Sequence, residues 1–473
     1  MSREWSEIAR RVLLALIPIG LALAFWWVQP HIIIDADTPR YLANSPMRTA
    51  TYPLFLDVAY GPALLPLQLL LFAAALAWLA IYSSRFLPWL LCVAMVVAIG
   101  ANPYVWELQA SIMSEALTIP LLAIIVGCVL GFLIEKRTAL VVVAAILGGL
   151  ATTIRPPLLP FILTLLVAVW ITTELPTKKR LTVLVVLAWL APVAAERLYS
   201  QVVHGSELTS PMGRALFMKS AVIDAPETAV QGDALDRRLV QFINGDYGPV
   251  RRLVDRATDR DVRNILVANY EACAGYPCLM SIVDSYNVEE AELHRRLAHI
   301  GLSRLLTNPA GYLELAATEY ERLWLLHPRK VPALATKYNV FLAREAPIPF
   351  ERQLGEIAQP TPASEQKQIY RLNRAAFLGI GVAAAILTVG LAFWRRGPLL
   401  QSAFALLVGT QCVLVFGTLV GSGLPRYTMG MWPALISAEL FGLVGLLALW
   451  KPNWFHRVNT DGRVYSSARS ARA

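Results

Sequence analysis

The chain has 473 residues, of which 56% are hydrophobic and 16% are charged, and its mean hydropathy is +0.52. A soluble protein of this length does not carry so much apolar surface, so the composition indicates a polytopic membrane protein. The net charge of +9 invites a nucleic-acid partner, but the basic residues fall mainly in short segments between apolar runs. Basic residues in such places report membrane topology, so we expect a lipid bilayer and no nucleic acid as partner.

Ten apolar runs come close to the ~20 residues that a helix needs to cross a bilayer. They cover residues 12–29, 63–82, 87–103, 115–134, 138–154, 157–173, 181–198, 376–394, 398–420 and 430–449. We therefore predict an all-α polytopic membrane protein with about ten transmembrane helices. It divides into an N-terminal transmembrane module (1–198) with a long first outer loop (30–62), a mainly helical extracytoplasmic domain (199–375), a C-terminal transmembrane module (376–450) and a basic cytoplasmic tail (451–473).

The distribution of Lys and Arg predicts which side each loop occupies. With the N-terminus in the cytoplasm, the short inner segments carry 16 basic residues and the short outer loops carry four. This bias follows the positive-inside rule and predicts a multi-pass inner (plasma) membrane protein whose polar segment 199–375 lies on the extracytoplasmic (periplasmic) face. The four outer exceptions are Arg40, Arg48, Arg155 and Arg426.

The polar segment has a largely helical pattern. Candidate helices cover residues 227–245, 249–272, 288–306 and 309–325. Asn287 resembles the start of a capping box, and Asn308, followed by proline, predicts a helix N-cap. Cys273 and Cys278 are the cysteines outside the predicted spans, so an oxidising compartment would let them pair. Two reduced thiols on one helix are the alternative.

Three carboxylates are predicted to gather at the outer face. Asp35 and Asp37 follow the first span, and Glu115 opens the fourth. Acidic groups at a membrane boundary are functional candidates because they are costly to hold there. The alternatives are that Asp35 and Asp37 are solvated loop residues capping a short helix, and that Ser114 and Glu115 merely cap the fourth span.

Arginines reach the same predicted face from distant parts of the chain. Arg40 lies in the first outer loop, Arg155 in a very short hairpin, and Arg426 after a glycine-rich turn. Arginine offers a planar, permanently charged fork that suits phosphate, while a carboxylate can act as general base or hold a divalent cation. This combination suits transfer of a group from a lipid phosphate at the membrane surface. The residue types alone do not identify that group.

The chain resembles the C-type (GT-C) glycosyltransferase superfamily, as found in protein mannosyltransferases and lipid A aminoarabinose transferases. The resemblance rests on the order and common sidedness of Asp35-Ala36-Asp37, Ser114-Glu115, Gly148-Gly149-Leu150 to Arg155-Pro156, and Pro425-Arg426-Tyr427. It implies a GT-C-like fold and inverting sugar transfer from a polyprenyl-phosphate donor to an extracytoplasmic glycan, lipid or protein. A Trp-Trp-Asp signature is absent from the sequence, and the polar segment matches no familiar acceptor domain, so the acceptor stays open.

The resemblance also implies residue roles. The catalytic base would be Asp35 or Asp37, and Asp37 is favoured because Thr38-Pro39-Arg40-Tyr41 follows it. Asp35 or Glu115 would orient the acceptor, and the three carboxylates could hold Mg²⁺ or Mn²⁺, although a metal-free site is equally compatible. The donor phosphate would be bound by Arg155, Arg426, Arg40 and Tyr427.

A transporter or flippase of a lipid-linked anion is the alternative function. Such proteins often carry charges or helix breaks near the middle of the bilayer. We expect spans that are free of charge in their middle, with the charged residues collected at one face. That arrangement favours chemistry at an interface over passage through it.

Overall fold

The structure is a computed structural model. It describes residues 3–34, 38–45, 48–172, 175–205, 212–223, 233–246, 248–258, 263, 266–267, 279, 283, 286, 288–324, 397–421 and 425–450. The described residues form helices and turns and contain no β-strand. An isolated parallel β-bridge pairs Ile33 with Ser111. The all-helical prediction is therefore confirmed for the described residues.

Ten helices precede the polar segment. They are α1 (Arg3–Val28), α2 (Thr38–Leu42), α3 (Thr51–Ala59), α4 (Leu64–Ser83), α5 (Trp89–Gly100), α6 (Pro103–Ala110), α7 (Glu115–Glu135), α8 (Thr138–Ile154), α9 (Ile162–Thr172) and α10 (Leu175–His204). A 3-10 helix, Pro156–Phe161, joins α8 to α9. The short helices α2 and α3 lie in the predicted first outer loop.

Five of the described helices are long and apolar enough to cross a membrane, which agrees with a membrane protein. They are Glu7–Val28, Leu64–Ser83, Glu115–Glu135, Thr177–His204 and Pro398–Val420. A sixth span results if the pair Trp89–Gly100 and Tyr104–Ala110, bent by 63°, is counted as one. The break coincides with Asn102, whose side chain caps α6 by accepting a hydrogen bond from the Tyr104 amide.

The prediction of ten spans is not confirmed. Thr138–Ile154, Pro156–Thr172 and Trp432–Ala448 are shorter apolar helices. At ~1.5 Å per residue, a helix as short as α8 is about 25 Å long, which is less than the ~30 Å of a hydrocarbon core. The predicted span 376–394 lies outside the described residues.

Two glycines bring α8 against α10. A Cβ added to Gly148 would lie 2.1 Å from Trp189 Cζ3, and one added to Gly149 would lie 2.2 Å from the Trp189 carbonyl oxygen. These separations leave no room for a side chain at either position. The contact therefore depends on glycine and fixes how closely the two helices approach.

The polar segment folds around a hydrophobic cluster of its own. The α-helices among its described residues are α11 (Met212–Val222), α12 (Ala234–Gln241), α13 (Gly248–Arg256), α14 (Glu290–Thr307) and α15 (Pro309–Trp324). Helices α11 and α14 pack closely, since a Cβ on Gly213 would lie 2.1 Å from the His294 carbonyl oxygen and one on Gly301 2.6 Å from the Phe217 nitrogen. Within the described residues, the candidate helix 227–245 contains α12 and the candidate helix 249–272 contains most of α13, and the other parts of both ranges lie largely outside the described residues.

One of the two predicted caps is confirmed. The Gly311 amide donates to Asn308 Oδ1 at 2.9 Å, as expected at the start of α15. Asn287, the predicted start of a capping box, lies outside the described residues, and the N-cap of α14 is Glu289, which makes no side-chain capping bond. Glu292, the third residue of that helix, instead accepts hydrogen bonds from arginines one turn later. Cys273 and Cys278 lie outside the described residues.

The C-terminal helices are α16 (Pro398–Val420), α17 (Pro425–Gly430) and α18 (Trp432–Trp450). Helix α15 is attached to them, since Thr428 Oγ1 donates to the Leu323 carbonyl at 2.7 Å and the Tyr312 hydroxyl donates to the Leu419 carbonyl. The polar segment therefore packs against the end of α16 and against α17.

Candidate functional site

A buried ion pair joins Glu115 to Arg155. Glu115 is the first residue of α7 and is 1% exposed, while Arg155 stands between α8 and the 3-10 helix and is 8% exposed. Arg155 Nη1 pairs with Glu115 Oε1, and the Ser114 hydroxyl donates to Glu115 Oε2 at 3.0 Å. Ser114 stands at the N-cap of α7 without a side-chain capping bond, and Glu115 lies in the first turn, where a carboxylate is favoured, so the alternative that the two residues cap α7 stays open.

An aromatic ring lies against the same arginine. The Arg155 guanidinium carbon is 4.7 Å from the centroid of the Tyr427 ring, which belongs to α17. That ring is in van der Waals range of a Cβ built on Gly417, at 3.6 Å from its Cδ2 atom. The small residues of α16 thus leave space for Tyr427, and α7, α8 and α17 meet at one guanidinium.

The first loop is fastened just before Glu115. The Ile33 amide donates to the Ala110 carbonyl at 2.8 Å, and the Ile112 amide donates to the Ile33 carbonyl at 3.1 Å. Thr38 Oγ1 donates to the Ile112 carbonyl at 3.3 Å. The residues that flank 35–37 on each side are therefore both bonded to Ile112, three positions before Glu115.

A second set of bonds fastens the loop beside Arg155. Thr49 Oγ1 donates to the Ile154 carbonyl at 3.3 Å, and the Ala50 amide donates to Glu196 Oε1 at 3.0 Å. The Ser200 hydroxyl donates to the same Glu196 oxygen at 2.7 Å. The start of α3 is thereby held to the ends of both α8 and α10.

A tyrosine cluster fills the loop. Tyr41 and Tyr52 meet edge to face at 4.9 Å, and the Arg48 guanidinium lies 4.9 Å from the Tyr41 centroid. Burial raises the pKa of the Tyr52 hydroxyl, as do Tyr41 and, more weakly, Glu115. Burial is the main cause of this rise, and the Gln68 side chain, which donates to the Tyr52 hydroxyl at 3.2 Å, opposes it. The Arg48 guanidinium packs on the face of the Tyr41 ring, within the loop.

Arg40 interacts electrostatically with the polar segment. Its positive charge lowers the pKa of Arg214 on α11 and of His294 on α14. The family resemblance implies that Arg40 binds the donor phosphate, and that role stays a prediction. Nothing in the sequence pattern singled out Arg214 or His294, since both belong to ordinary amphipathic helices.

Some of the residues predicted for the site are not among those that the structure describes. Asp35 and Asp37 are outside the described residues, as is the side chain of Arg426. Within the described part of the chain, no three His, Cys, Asp or Glu side chains are grouped so as to hold a metal ion. The predicted set of Asp35, Asp37 and Glu115 thus stays a prediction.

Two carboxylates were missed from the sequence. Glu196 lies at the end of a predicted span, and Glu439 lies in the middle of α18, where one carboxylate oxygen has no hydrogen-bond partner within the described structure. The expectation of spans free of charge in their middle is therefore wrong at Glu439. An acidic residue within an apolar run is the signal that would have found both.

Comparisons of the chain with family models, with curated proteins and with solved structures find no match.

Proposed function

We propose that the protein is an inverting glycosyltransferase that moves a sugar from a polyprenyl phosphate to an acceptor outside the cytoplasm. The observation that carries this proposal is the buried Glu115–Arg155 pair beneath Tyr427. It sits where the first loop, with its two aspartates, is bonded to the chain on both sides of residues 35–37.

The ion pair supports a phosphate-binding role for Arg155. Taking two charges out of water is unfavourable, so a buried pair is weak support for a purely stabilising role. A guanidinium has five donors in a fixed fork, and pairing with one carboxylate leaves donors for a second anion. Tyr427 covers its face. The ion pair with Glu115 thus fixes the orientation of the Arg155 side chain. Arg426, one residue before Tyr427, adds a second positive charge.

The proposed reaction is a single displacement. The acceptor hydroxyl gives its proton to the Asp37 carboxylate, and its oxygen forms a bond to the anomeric carbon. The bond from that carbon to the phosphate oxygen breaks on the opposite face, and the electron pair leaves with the lipid phosphate. Arg155 and Arg426 stabilise the developing charge on the phosphate. Asp35 orients the acceptor.

The carboxylate of Glu115 fits this role better than metal ligation. It already binds Arg155 and Ser114, and both contacts would compete with an ion. A hard cation such as Mg²⁺ prefers several free oxygen ligands. We therefore derive no step through a metal.

The proposal can be tested with purified full-length protein, a panel of radiolabelled polyprenyl-phosphate sugars and a cell-envelope extract that supplies acceptor hydroxyls. Release of the polyprenyl phosphate from one donor, lost in Asp37→Asn, is the expected result. Arg295→Gln is a matched control because Arg295 is exposed on α14. Absence of release with every donor, or full release by Asp37→Asn, would overturn the proposal.

Glu439 favours a second candidate function. A carboxylate in the middle of an apolar helix often marks a transport path. A flippase for a lipid-linked anion would move a fluorescent polyprenyl phosphate across proteoliposomes without releasing a sugar. Glu439→Gln would abolish that movement, whereas it should leave glycosyl transfer close to normal.

A further inference from the structure

Two arginines meet at one carboxylate where the helices α4 and α7 end. Arg85 follows α4, and its Nη1 atom lies 2.7 Å from Oε1 of Glu135, the last residue of α7. Arg137 is the N-cap of α8, and its Nε atom lies 3.2 Å from Glu135 Oε2. One carboxylate therefore holds two guanidinium groups next to each other, although they belong to different loops.

This arginine pair lies at the opposite end of α7 from the candidate site. Glu115 and Glu135 are the first and last residues of that helix, so about 30 Å of helix separates them at ~1.5 Å per residue. Both arginines belong to the short inner segments of the predicted topology. The pair is thus predicted to face the cytoplasm.

The two loops carry more positive than negative charge. Three basic residues, Arg85, Lys136 and Arg137, stand against Glu135, which gives a net charge of +2. The side chains of Arg85 and Arg137 are 46% and 72% exposed, whereas that of Glu135 is 18% exposed. Lys136 donates to the Leu133 carbonyl at 2.6 Å and so caps the end of α7. A guanidinium has five donors, so each arginine can bind a second anion besides the carboxylate.

An aromatic series continues from Arg85 along α4. The Arg85 guanidinium carbon lies 4.9 Å from the centroid of the Tyr82 ring, and that ring lies 5.4 Å from the Trp78 ring. A Cβ added to Gly127 would lie 2.8 Å from Trp78 Nε1, and one added to Gly131 would clash with the Tyr82 ring. Two glycines of α7, four residues apart, thus receive two aromatic side chains of α4 with the same spacing. This packing fixes the ring on which Arg85 lies.

The surface below the arginines is apolar and accessible. Trp78 is 40% exposed, although it lies within a candidate membrane span. An exposed side chain within a span contacts acyl chains, because the hydrocarbon core of the bilayer surrounds it. Charge and apolar surface therefore follow each other along α4 in the order of a phospholipid, with the headgroup at the helix end. Basic pockets between helices at the cytoplasmic side are typical binding sites for anionic headgroups.

We propose that Arg85 and Arg137 bind the phosphate of an anionic phospholipid in the cytoplasmic leaflet, with the acyl chains beside Trp78. Two planar guanidinium forks suit the oxygens of a phosphate, and an ammonium group does not offer the same geometry. The site uses none of the residues assigned to glycosyl transfer, so the two proposals stand or fall separately.

The test measures binding of phosphatidylglycerol to the purified full-length protein by native mass spectrometry. Phosphatidylcholine, which has no net charge, is the comparison and is expected to bind more weakly. The double variant Arg85→Gln/Arg137→Gln should weaken phosphatidylglycerol binding by about tenfold or more, as loss of a charged hydrogen bond does. If it does not fold, Arg137→Gln carries the test, because the pair of Arg85 and Glu135 stays intact in that variant.

Two further variants separate a specific site from general attraction to a basic surface. Arg11→Gln removes a charge from the same predicted side of the membrane, at an exposed pair with Glu7 on α1, and should bind phosphatidylglycerol as the wild type does. The double variant Arg85→Lys/Arg137→Lys keeps both charges but loses both forks. It should bind phosphatidylglycerol more weakly than the wild type.

Thermal unfolding in detergent distinguishes a lipid from a free phosphate ion. A ligand of the folded state raises the unfolding midpoint, so phosphatidylglycerol should raise it more than inorganic phosphate at equal ionic strength. The proposal is overturned if phosphatidylcholine binds as tightly as phosphatidylglycerol, or if the double Gln or double Lys variant binds phosphatidylglycerol like the wild type. Equal stabilisation by inorganic phosphate, or equal weakening in Arg11→Gln, would also overturn it.

Discussion

The Glu196 carboxylate accepts a hydrogen bond from the Ala50 amide at 3.0 Å. This bond connects the first outer loop to the last third of α10. The two residues are 146 positions apart, and the Ser200 hydroxyl donates to the same carboxylate oxygen. Glu196 does not face Arg155 or Glu115 in any described contact. It acts on the candidate site through the position of the loop.

Glu196→Ala should therefore slow transfer while leaving donor affinity nearly unchanged. The Ala50 amide and the Ser200 hydroxyl lose their acceptor, and an unmade buried hydrogen bond costs about 1–3 kcal/mol. Glu196→Gln keeps an acceptor oxygen and should restore much of the rate. Steady-state kinetics with separate donor binding measure both. Equal loss in Ala and Gln variants would contradict a positioning role.

Asp37→Asn should lower turnover by about 10²–10⁴-fold, because positioned proton transfer contributes that much. Donor binding should persist, since the amide keeps the shape of the side chain. Asp35→Asn should cost less. The comparison requires turnover of both variants with folding verified by unfolding midpoints. If Asp35→Asn were inactive and Asp37→Asn retained activity, the catalytic base would be Asp35.

Removal of one partner of the Glu115–Arg155 pair should destabilise the protein by about 3–5 kcal/mol, since the other charge stays buried. The double variant Glu115→Gln/Arg155→Gln should regain much of that stability and still bind the donor poorly. Denaturation in detergent and a donor-binding assay separate the two effects. Normal donor affinity in the double variant would exclude Arg155 as a phosphate ligand.

The buried imidazole of His294 makes stability depend on pH. Its pKa in the folded protein is about 4, below the ordinary 6.5, so between these values the unfolded chain binds more protons. Stability is therefore complete above about pH 6.5 and falls as the pH drops toward 4. The groups around it are Arg214, Arg40 and Glu290. Unfolding in chloride buffers should show this slope, and His294→Gln should flatten it.

The topology can be checked independently. Reporter fusions near residues 250 and 460 should report opposite sides of the membrane, since the first lies in the predicted extracytoplasmic domain and the second in the predicted basic tail. A fusion near residue 137, in a short inner loop, is a suitable control and should agree with the one near 460. Fusions near 250 and 460 on the same side would contradict the predicted topology.

Hydropathy predicted an all-helical protein with helices long enough to cross a membrane, and the described residues agree. Sidedness singled out Glu115 and Arg155, and the family resemblance added Tyr427; the three side chains lie together in the structure. The membrane helices were harder to count, because an apolar run does not reveal a break such as the one at Asn102, and apolar helices shorter than the bilayer resemble full spans.

Other parts of the site could not be predicted because they depend on tertiary packing. The backbone of His294 lies against Gly213 through the close packing of α11 on α14. Glu196 reaches Ala50 because α10 runs beside α8. Neither relationship leaves a periodic or local pattern in the sequence.

The notch where Trp189 presses on Gly148 and Gly149 has a consequence for inherited variation. Arg155 follows Gly148 by seven residues, or about 10 Å of helix. A methyl group at either glycine would push the two helices apart and carry Arg155 away from Glu115. A Gly→Ala exchange that leaves every charge of the chain in place would then separate the Glu115–Arg155 pair as effectively as the loss of one of its charged side chains.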